Sequence, residues 1–361
     1  MERIPATQWN KLLFWPDRVY RTSEGDEKTD SKKLFFKAWK EYDLMQRWLY
    51  DGSRIYHLFD ELNDLMMYSI YGSNRIEHAG FDQEATFYLC RMMIEDEPVP
   101  AFDGRPEDKD GLEKLFAVDE SLRKMPLKDV LRRGREVVQH VKAFQHLVQY
   151  LGMDECAVLT QELIKDTHKI LCDGIPIVDE ELPDVPSEKY AGRYRDVPVC
   201  AGSTMFVMPK HIPRLMGELC EDFAKDIDAI QETLVMDPFA MAVKYSFRFV
   251  DIHPFQDGNG RMCRLILNVI LFRYLDILLV IGATDEDIKE YIGIKKRASM
   301  EMEGHGEYAT FVLKRAHKTL RRMKENLKAG KEPVWPDMEN EPVEPLTKDG
   351  EPKDPDVKDD K

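Results

Sequence analysis

Residues His253 to Arg264, HPFQDGNGRMCR, gather a histidine, a carboxylate, an amide, two glycines and two arginines into one short stretch. The flanks say how it is presented. Upstream, Asp237-Pro238 reads as an N-cap followed by proline at the first helical position, and FAMAVKYSFRFVDI puts Phe239, Val243, Phe247 and Val250 on one helical face. A helix therefore delivers His253. Downstream, RMCRLILNVILFRYL has no glycine or proline and is apolar on almost every side, which suits a helix at the centre of a domain. Gly258, Asn259 and Gly260 thus stand at a helix N-terminus, where unpaired N–H groups and the positive end of the dipole face an anion.

Each residue type has a chemical reading beside a bland one. Gly258 and Gly260 permit positive φ and close backbone approach to a phosphate, although two glycines between helices are more often only a turn. Arg261 and Arg264, three apart, project from the first helical turn toward one anion, and guanidinium matches phosphate oxygens in bidentate fashion. Either arginine alone would read as a surface residue. Asp257 supplies a hard oxygen of the kind Mg²⁺ takes together with substrate phosphates; alone it would read as a cap. His253, ending its helix, has an ordinary pKa suited to a general base, though a lone histidine is usually structural. Their conjunction in one loop favours the functional reading.

This stretch resembles the signature of the Fic-domain family, His-x-Phe-x-Asp/Glu-Gly-Asn-Gly-Arg-x-x-Arg, at every specified position. The resemblance implies transfer of AMP from ATP to a protein hydroxyl, or its removal. It makes His253 the base for the incoming hydroxyl and Phe255 the loop's anchor in the core, with Asp257 the Mg²⁺ ligand. Asn259 and the amides of Gly258 and Gly260 would hold the α-phosphate, and Arg261 and Arg264 the outer phosphates. Asn259 and Arg261 are accordingly expected in catalysis as well as in nucleotide binding.

Composition bounds the rest. A chain of 361 residues, 43% hydrophobic, can bury a substantial core. A formal net charge of -15 argues against a nucleic-acid or anionic-membrane partner and is compatible with a protein substrate. Six cysteines lie scattered without a CxxC pair, so reduced thiols are the default. The N-terminus has no uninterrupted apolar h-region, and no run of about eighteen apolar residues occurs. A cytoplasmic or nuclear location is expected.

Along the chain, residues 1–30 form an arm with Trp9, Phe14 and Trp15. An N-terminal helical region spans 31–94: Phe35, Trp39, Tyr42, Met45 and Leu49 step by three and four, Asp51-Gly52-Ser53 breaks the run, and a second helix from Arg54 carries Leu58, Leu62, Leu65, Met66 and Ile70. That face leads to Ser73 and Glu77, at i and i+4; a carboxylate facing a core needs a partner, and the spacing alone equally allows a Glu77 solvated at a fraying helix end. SNRIEH resembles the family's inhibitory motif, Ser/Thr-x-x-x-Glu-Gly/Asn, whose glutamate pairs with the second signature arginine, here Arg264. The departure is His78, where the motif has glycine or asparagine. Residues 95–128, rich in charge, proline and glycine, read as a linker with room for one short helix. His168 and Cys172 share a helical face and, with no further ligand nearby, read as core or rim residues rather than a metal site.

AGRYRDVPVCAGSTMFVMPKHIP alternates Val197, Val199 and then, past a turn, Phe206 and Met208, a hairpin signal in a helical chain. It resembles the Gly-x-Tyr-Arg segment and flap of Fic relatives, which implies that a protein substrate docks on 195–208 by strand addition. By the same likeness Tyr291 lies near the nucleotide base. From residue 330 to 361, proline and dense charge read as a disordered acidic tail.

The expectation is an all-α protein, a Fic-type helical core over 129–329 with a single β-hairpin flap, preceded by the helical region. ATP and Mg²⁺ are the implied cofactors, and AMP transfer to Ser, Thr or Tyr, restrained by Glu77, the expected activity. The alternatives are AMP removal with Glu77 orienting water, or a nucleotide-sensing binding module. The oligomeric state, a homodimer included, is left open.

Overall fold

The computed structural model describes residues 12–21, 30–49, 54–153, 157–178, 183–201, 204–300 and 305–329. In chain order the helices are α1 (Ser31–Leu49), α2 (Ile55–Ile76), α3 (Gln83–Ile94), α4 (Lys109–Val118), α5 (Leu127–Leu147), α6 (Gln161–Leu171), α7 (Ser187–Tyr190), α8 (Ile212–Thr233), α9 (Pro238–Ile252), α10 (Asn259–Leu275), α11 (Asp285–Met300) and α12 (Gly306–Ala329). Short strands β1 (Leu13–Phe14), β2 (Cys200–Ala201), β3 (Thr204–Met205) and β4 (Val235–Met236) complete the described elements.

The apolar run after the glycines forms the axis of the domain. Helix α10 buries 15 of its 17 residues, and α9, α5 and α2 pack around it. The expected start of α9 is present, with the Asp237 carboxylate accepting from the Ala240 N–H at 2.9 Å and Pro238 in the first turn. Burial of the large side chains Phe35, Tyr245, Phe249 and Phe255 around this axis supplies the hydrophobic driving force that loops alone could not. Helix α1 lies along α12, so the helical region ahead of the signature is packed onto the same body.

Helix α2 runs unbroken through Gly72. A Cβ at that position would stand 2.5 Å from the Ile281 carbonyl oxygen, so the glycine serves close packing against the chain after α10 rather than a break. The hairpin is present as β2 paired antiparallel with β3, although its ladder is only two residues a side. A second pairing was not expected: β1 lies parallel to β4, with Leu13 opposite Val235 and Phe14 opposite Met236. The stretch 95–128, expected as a linker with room for one short helix, contains that helix as α4 and a 3-10 turn at Glu120–Lys124, and buries Phe102, Leu112, Leu115 and Leu122. The buried Asp108 carboxylate accepts from the Ala101 and Asp103 N–H groups and fixes its course. Asp51 to Ser53, much of the N-terminal arm and the tail 330–361 lie outside the described residues.

Candidate active site

The loop between α9 and α10 is fastened from beneath. Phe255 is fully buried, its ring stacked on His168 with centroids 3.6 Å apart. Gly192 N–H donates to His168 Nδ1 at 2.9 Å, so the proton sits on Nε2, which lies 2.9 Å from the Asp257 carbonyl oxygen and donates to it. Burial lowers the His168 pKa to about 4, keeping this pin neutral. His168 and Cys172 together form the floor under Gly258, whose φ of +76° and lack of a side chain let the loop sit directly on them. Both His168 and Cys172 are fully buried.

The Asn259 side chain is also bonded to its own loop. Its side-chain oxygen accepts from Phe255 N–H at 3.0 Å and its amide donates to Phe255 O at 2.8 Å. Both ends of the amide bond the loop's own backbone, so the side chain clamps the turn and keeps its second N–H for a further acceptor. A phosphate at this site would meet the main-chain N–H groups of the first turn of α10 and the arginines.

Arg261 is 4% exposed, and only one of its nitrogens has a side-chain partner, Nη2 reaching Asp257 at 3.3 Å. Its Nε and Nη1 are buried without a partner. Unpaired buried donors on a cation are costly, and an anion beside the helix N-terminus would satisfy them. The Asp257 carboxylate stays 46% exposed at the mouth, placed to share a hard cation with a bound phosphate chain.

Arg264 is already engaged. Its Nε donates to Ser73 Oγ at 2.8 Å, and Nη2 donates to Ser73 O at 3.0 Å and to Glu77 Oε1 at 2.6 Å. Glu77 Oε1 lies only 2.0 Å from where a Cβ on Gly260 would stand, so the carboxylate rests on the first turn of α10. Ser73 and Glu77 thus meet the arginine that the sequence assigned to them. The ring of Tyr291 lies 5.8 Å from the Arg264 guanidinium and is buried.

The end of α2 is held from both sides by residues that sequence reasoning missed. From α5, His140 hydrogen-bonds Asn74 at 2.8 Å, the Glu136 carboxylate accepts from Gly80 N–H at 2.7 Å, and Arg133 donates to Gly80 O at 2.8 Å. Across from them Arg75 donates to Ala283 O at 2.9 Å and pairs with Asp285. The spacing of Glu136 and His140, polar residues four apart on a face that also buries Val137 and Val141, was the available signal. His78 follows Glu77, the cap of α2, at φ +54°, the left-handed region in which glycine or asparagine commonly ends a helix. Histidine is among the side chains that enter it more readily than most. His78→Gly should therefore stabilise the fold by no more than about 1 kcal/mol, read from urea midpoints; a loss of stability would mean that the imidazole makes a contact worth more than the backbone strain.

His253 closes α9 in the same left-handed region, at φ +52°. Its Nδ1 lies 3.2 Å from Val250 O, an acceptor only, so Nδ1 bears the proton and Nε2 keeps its lone pair. Burial, with the Arg195 charge beside it, lowers the pKa to about 4 against the pull of Glu77 and Asp257. The ring is stacked on Phe206 of the flap, centroids 3.7 Å apart and planes within 9°. Arg195, 4% exposed, donates from Nε to His253 O at 2.7 Å.

With that geometry in hand, residues 158–271 match the profile of the Fic/DOC family. A Fido domain-containing protein of Dictyostelium discoideum is 29% identical over 137 residues, 38% of this chain and 93% of that protein. The protein adenylyltransferase Fic of Nematostella vectensis is 27% identical over 187 residues, 50% of this chain. The match spans only 38% of the Nematostella protein. Among solved structures, a Fic domain containing signaling protein from Bacteroides thetaiotaomicron superposes with a TM-score of 0.56 at 17% identity, over 85% of this chain and 100% of that one. Fic-1 (residues 134–508) from C. elegans does so with a TM-score of 0.56 at 18% identity, over 83% of this chain and 74% of that one. At such identities the superpositions speak for the fold.

Proposed function

We propose, for a chain whose residues 158–271 form a domain of the Fic/DOC family, that it is a protein adenylyltransferase moving AMP from Mg·ATP to a Ser, Thr or Tyr hydroxyl, with Glu77 as its built-in restraint. The observation that carries the reading is the Glu77 carboxylate seated on Arg264 and on the first turn of α10, where a phosphate oxygen would otherwise sit. Nearby, Arg261 offers buried unpaired donors to the same anion. Bound Mg²⁺, through the Asp257 carboxylate, would supply charge neutralisation of the phosphate chain. The residues of the chain do the rest. His253 Nε2 takes the proton of the attacking hydroxyl, the α10 amides hold the α-phosphate and its developing charge, and Arg261, with Arg264 once released, holds the outer phosphates. Tyr291, beside Arg264, is placed to border the nucleotide.

Among the described residues no helix is long and apolar enough to cross a membrane, and a net charge of -15 disfavours polyanionic targets. A protein strand added to the flap fits better. Val197 and Met205 are exposed there, at 41% and 76%. Val197→Asp or Val199→Pro should slow modification of a protein target by about tenfold, the scale of a lost strand contact or two, and self-modification less. Equal losses would make the hairpin a mere support of the fold.

The deciding experiment for the activity is labelling of a lysate with an ATP analogue tagged at N6 by the Glu77→Gly protein, with His253→Ala as control and mass spectrometry of the products. Label on protein hydroxyls that depends on His253 supports transfer. No label at all would favour a nucleotide-sensing module, and release of AMP from pre-modified protein by the wild type would reverse the direction proposed.

A further inference from the structure

Arg195 belongs to neither the signature loop nor the hairpin ladder, yet it touches both. Its Nη1 donates to Val197 O at 2.9 Å and its Nη2 to Val207 O at 2.6 Å, one carbonyl on each limb of the flap. Its Nε takes the His253 carbonyl at 2.7 Å, and its own N–H donates to Pro254 O at 2.9 Å. A planar fork with five fixed donors can hold three carbonyls on separate segments at once; a lysine ammonium at the end of a flexible stem cannot match that geometry. The returning limb of the flap is fixed to the outgoing one by Phe206 N–H donating to Val199 O at 3.3 Å, and the Phe206 ring lies flat on the His253 imidazole.

We propose that Arg195 and Phe206 are positioning residues that make His253 a competent base only while the flap is seated, so that a strand docking on the flap is felt at the imidazole. The inference rests on the reading of His253 as the base. The imidazole has one hydrogen bond of its own, Nδ1 to Val250 O, and a ring held at one edge can rock. The face of Phe206 removes that freedom and shields one side of the ring from water. The His253 backbone is held in a left-handed conformation that persists only where its surroundings over-determine it, and Arg195 supplies one of those restraints through the carbonyl. The charges facing the ring are Arg195 beside the flap, Glu77 from α2 and Asp257 from the loop; Arg195 opposes protonation and the two carboxylates favour it. A flap that lifts would hydrate the ring and let it protonate nearer the usual histidine range.

The test uses the full chain with ¹⁵N-labelled histidine, following the His253 ring through a pH titration by NMR, together with self-modification kinetics in the Glu77→Gly background. Phe206→Ala should raise the His253 titration by about one pH unit or more. In the kinetic arm it should lower kcat by about tenfold while KM for Mg·ATP changes little. Phe206→Tyr, which restores a flat ring, should bring the titration back down. Arg195→Lys should move it in the same direction as Phe206→Ala while leaving the other eight histidines unshifted, which separates a local effect from unfolding. The proposal is overturned if His253 titrates alike in wild type, Phe206→Ala and Arg195→Lys, or if the whole kinetic loss lies in KM. If the Glu77→Gly protein transfers no AMP, the reading of His253 as base falls by itself, and the titration still decides whether the flap governs the ring.

Discussion

Replacing His253 with alanine is expected to lower AMP transfer by about 10²–10⁴-fold, the range a positioned general base contributes, and to leave Mg·ATP affinity nearly unchanged. The imidazole faces the flap, where the proposed reading brings in the hydroxyl, while Arg261, Arg264 and the N-terminus of α10 are the groups proposed to hold the anion. Calorimetry on the variant separates the two. A fall in ATP affinity as large as the fall in rate would make His253 a structural residue. The pH dependence carries a sign as well. With a pKa lowered to about 4, the base form persists through the neutral and mildly acid range, so the acid limb set by this group should appear only near that value. Stability moves differently. The unfolded chain takes up a proton on this histidine near about 6.5, whereas the folded protein resists until about 4. The residue therefore favours the fold above the higher value, and that contribution is lost as pH falls between the two. His253→Ala should flatten that part of the curve, measured by urea unfolding at neutral and acid pH.

How far the site could be read in the sequence follows from how local its chemistry is. Twelve consecutive residues carry the base, the anion nest and both arginines, and the flanking helices are written in their periodicity, so the loop could be placed at the α10 N-terminus without coordinates. Ser73 and Glu77 stand at the end of an apolar helical face, but the spacing alone left Glu77 as readily solvated, and it was the resemblance of SNRIEH to the inhibitory motif that implied Arg264 as its partner. The hydrogen bonds of the Asn259 side chain to the Phe255 backbone were not legible, because residue type cannot say which way an amide turns within its own loop. The parallel pairing of Leu13–Phe14 with Val235–Met236 was invisible since two residues carry no alternation. The charged stretch 95–128 concealed the leucines Leu112, Leu115 and Leu122, spaced for a short buried face. Phe206 and Arg195 could be placed on the flap but not against His253, because that contact depends on how the hairpin folds back over α9, a tertiary matter on which a local pattern is silent.

The second large effect belongs to Glu77. The Glu77 carboxylate holds Arg264 Nη2 at 2.6 Å and covers Gly260, so on the proposed reading ATP would have to displace it before the outer phosphates gain that arginine. A hydrogen bond to a charged group is worth about 1.5–3 kcal/mol, and removing that restraint corresponds to about a 10- to 150-fold gain in transfer. Glu77→Gly should show such a gain, self-modification included. Because the pair is lopsided in exposure, 4% for Arg264 and 36% for Glu77, its loss should destabilise the nucleotide-free protein by the lower part of that range or less. Arg264 keeps its bonds to Ser73 Oγ and O, and α2 stays anchored through Asn74, Arg75 and Gly80, so the helix end should hold its place when the carboxylate is gone. Mg·ATP should then restore thermal stability by binding the folded state, more in the variant than in the wild type. Radiolabelled AMP transfer by wild type, Glu77→Gly and the double variant with Arg264→Ala decides the matter. The gain should vanish in the double variant, since the arginine freed by one change is removed by the other. A gain that survives undiminished without Arg264, or no gain at all from Glu77→Gly, would show that the carboxylate does not act through that arginine.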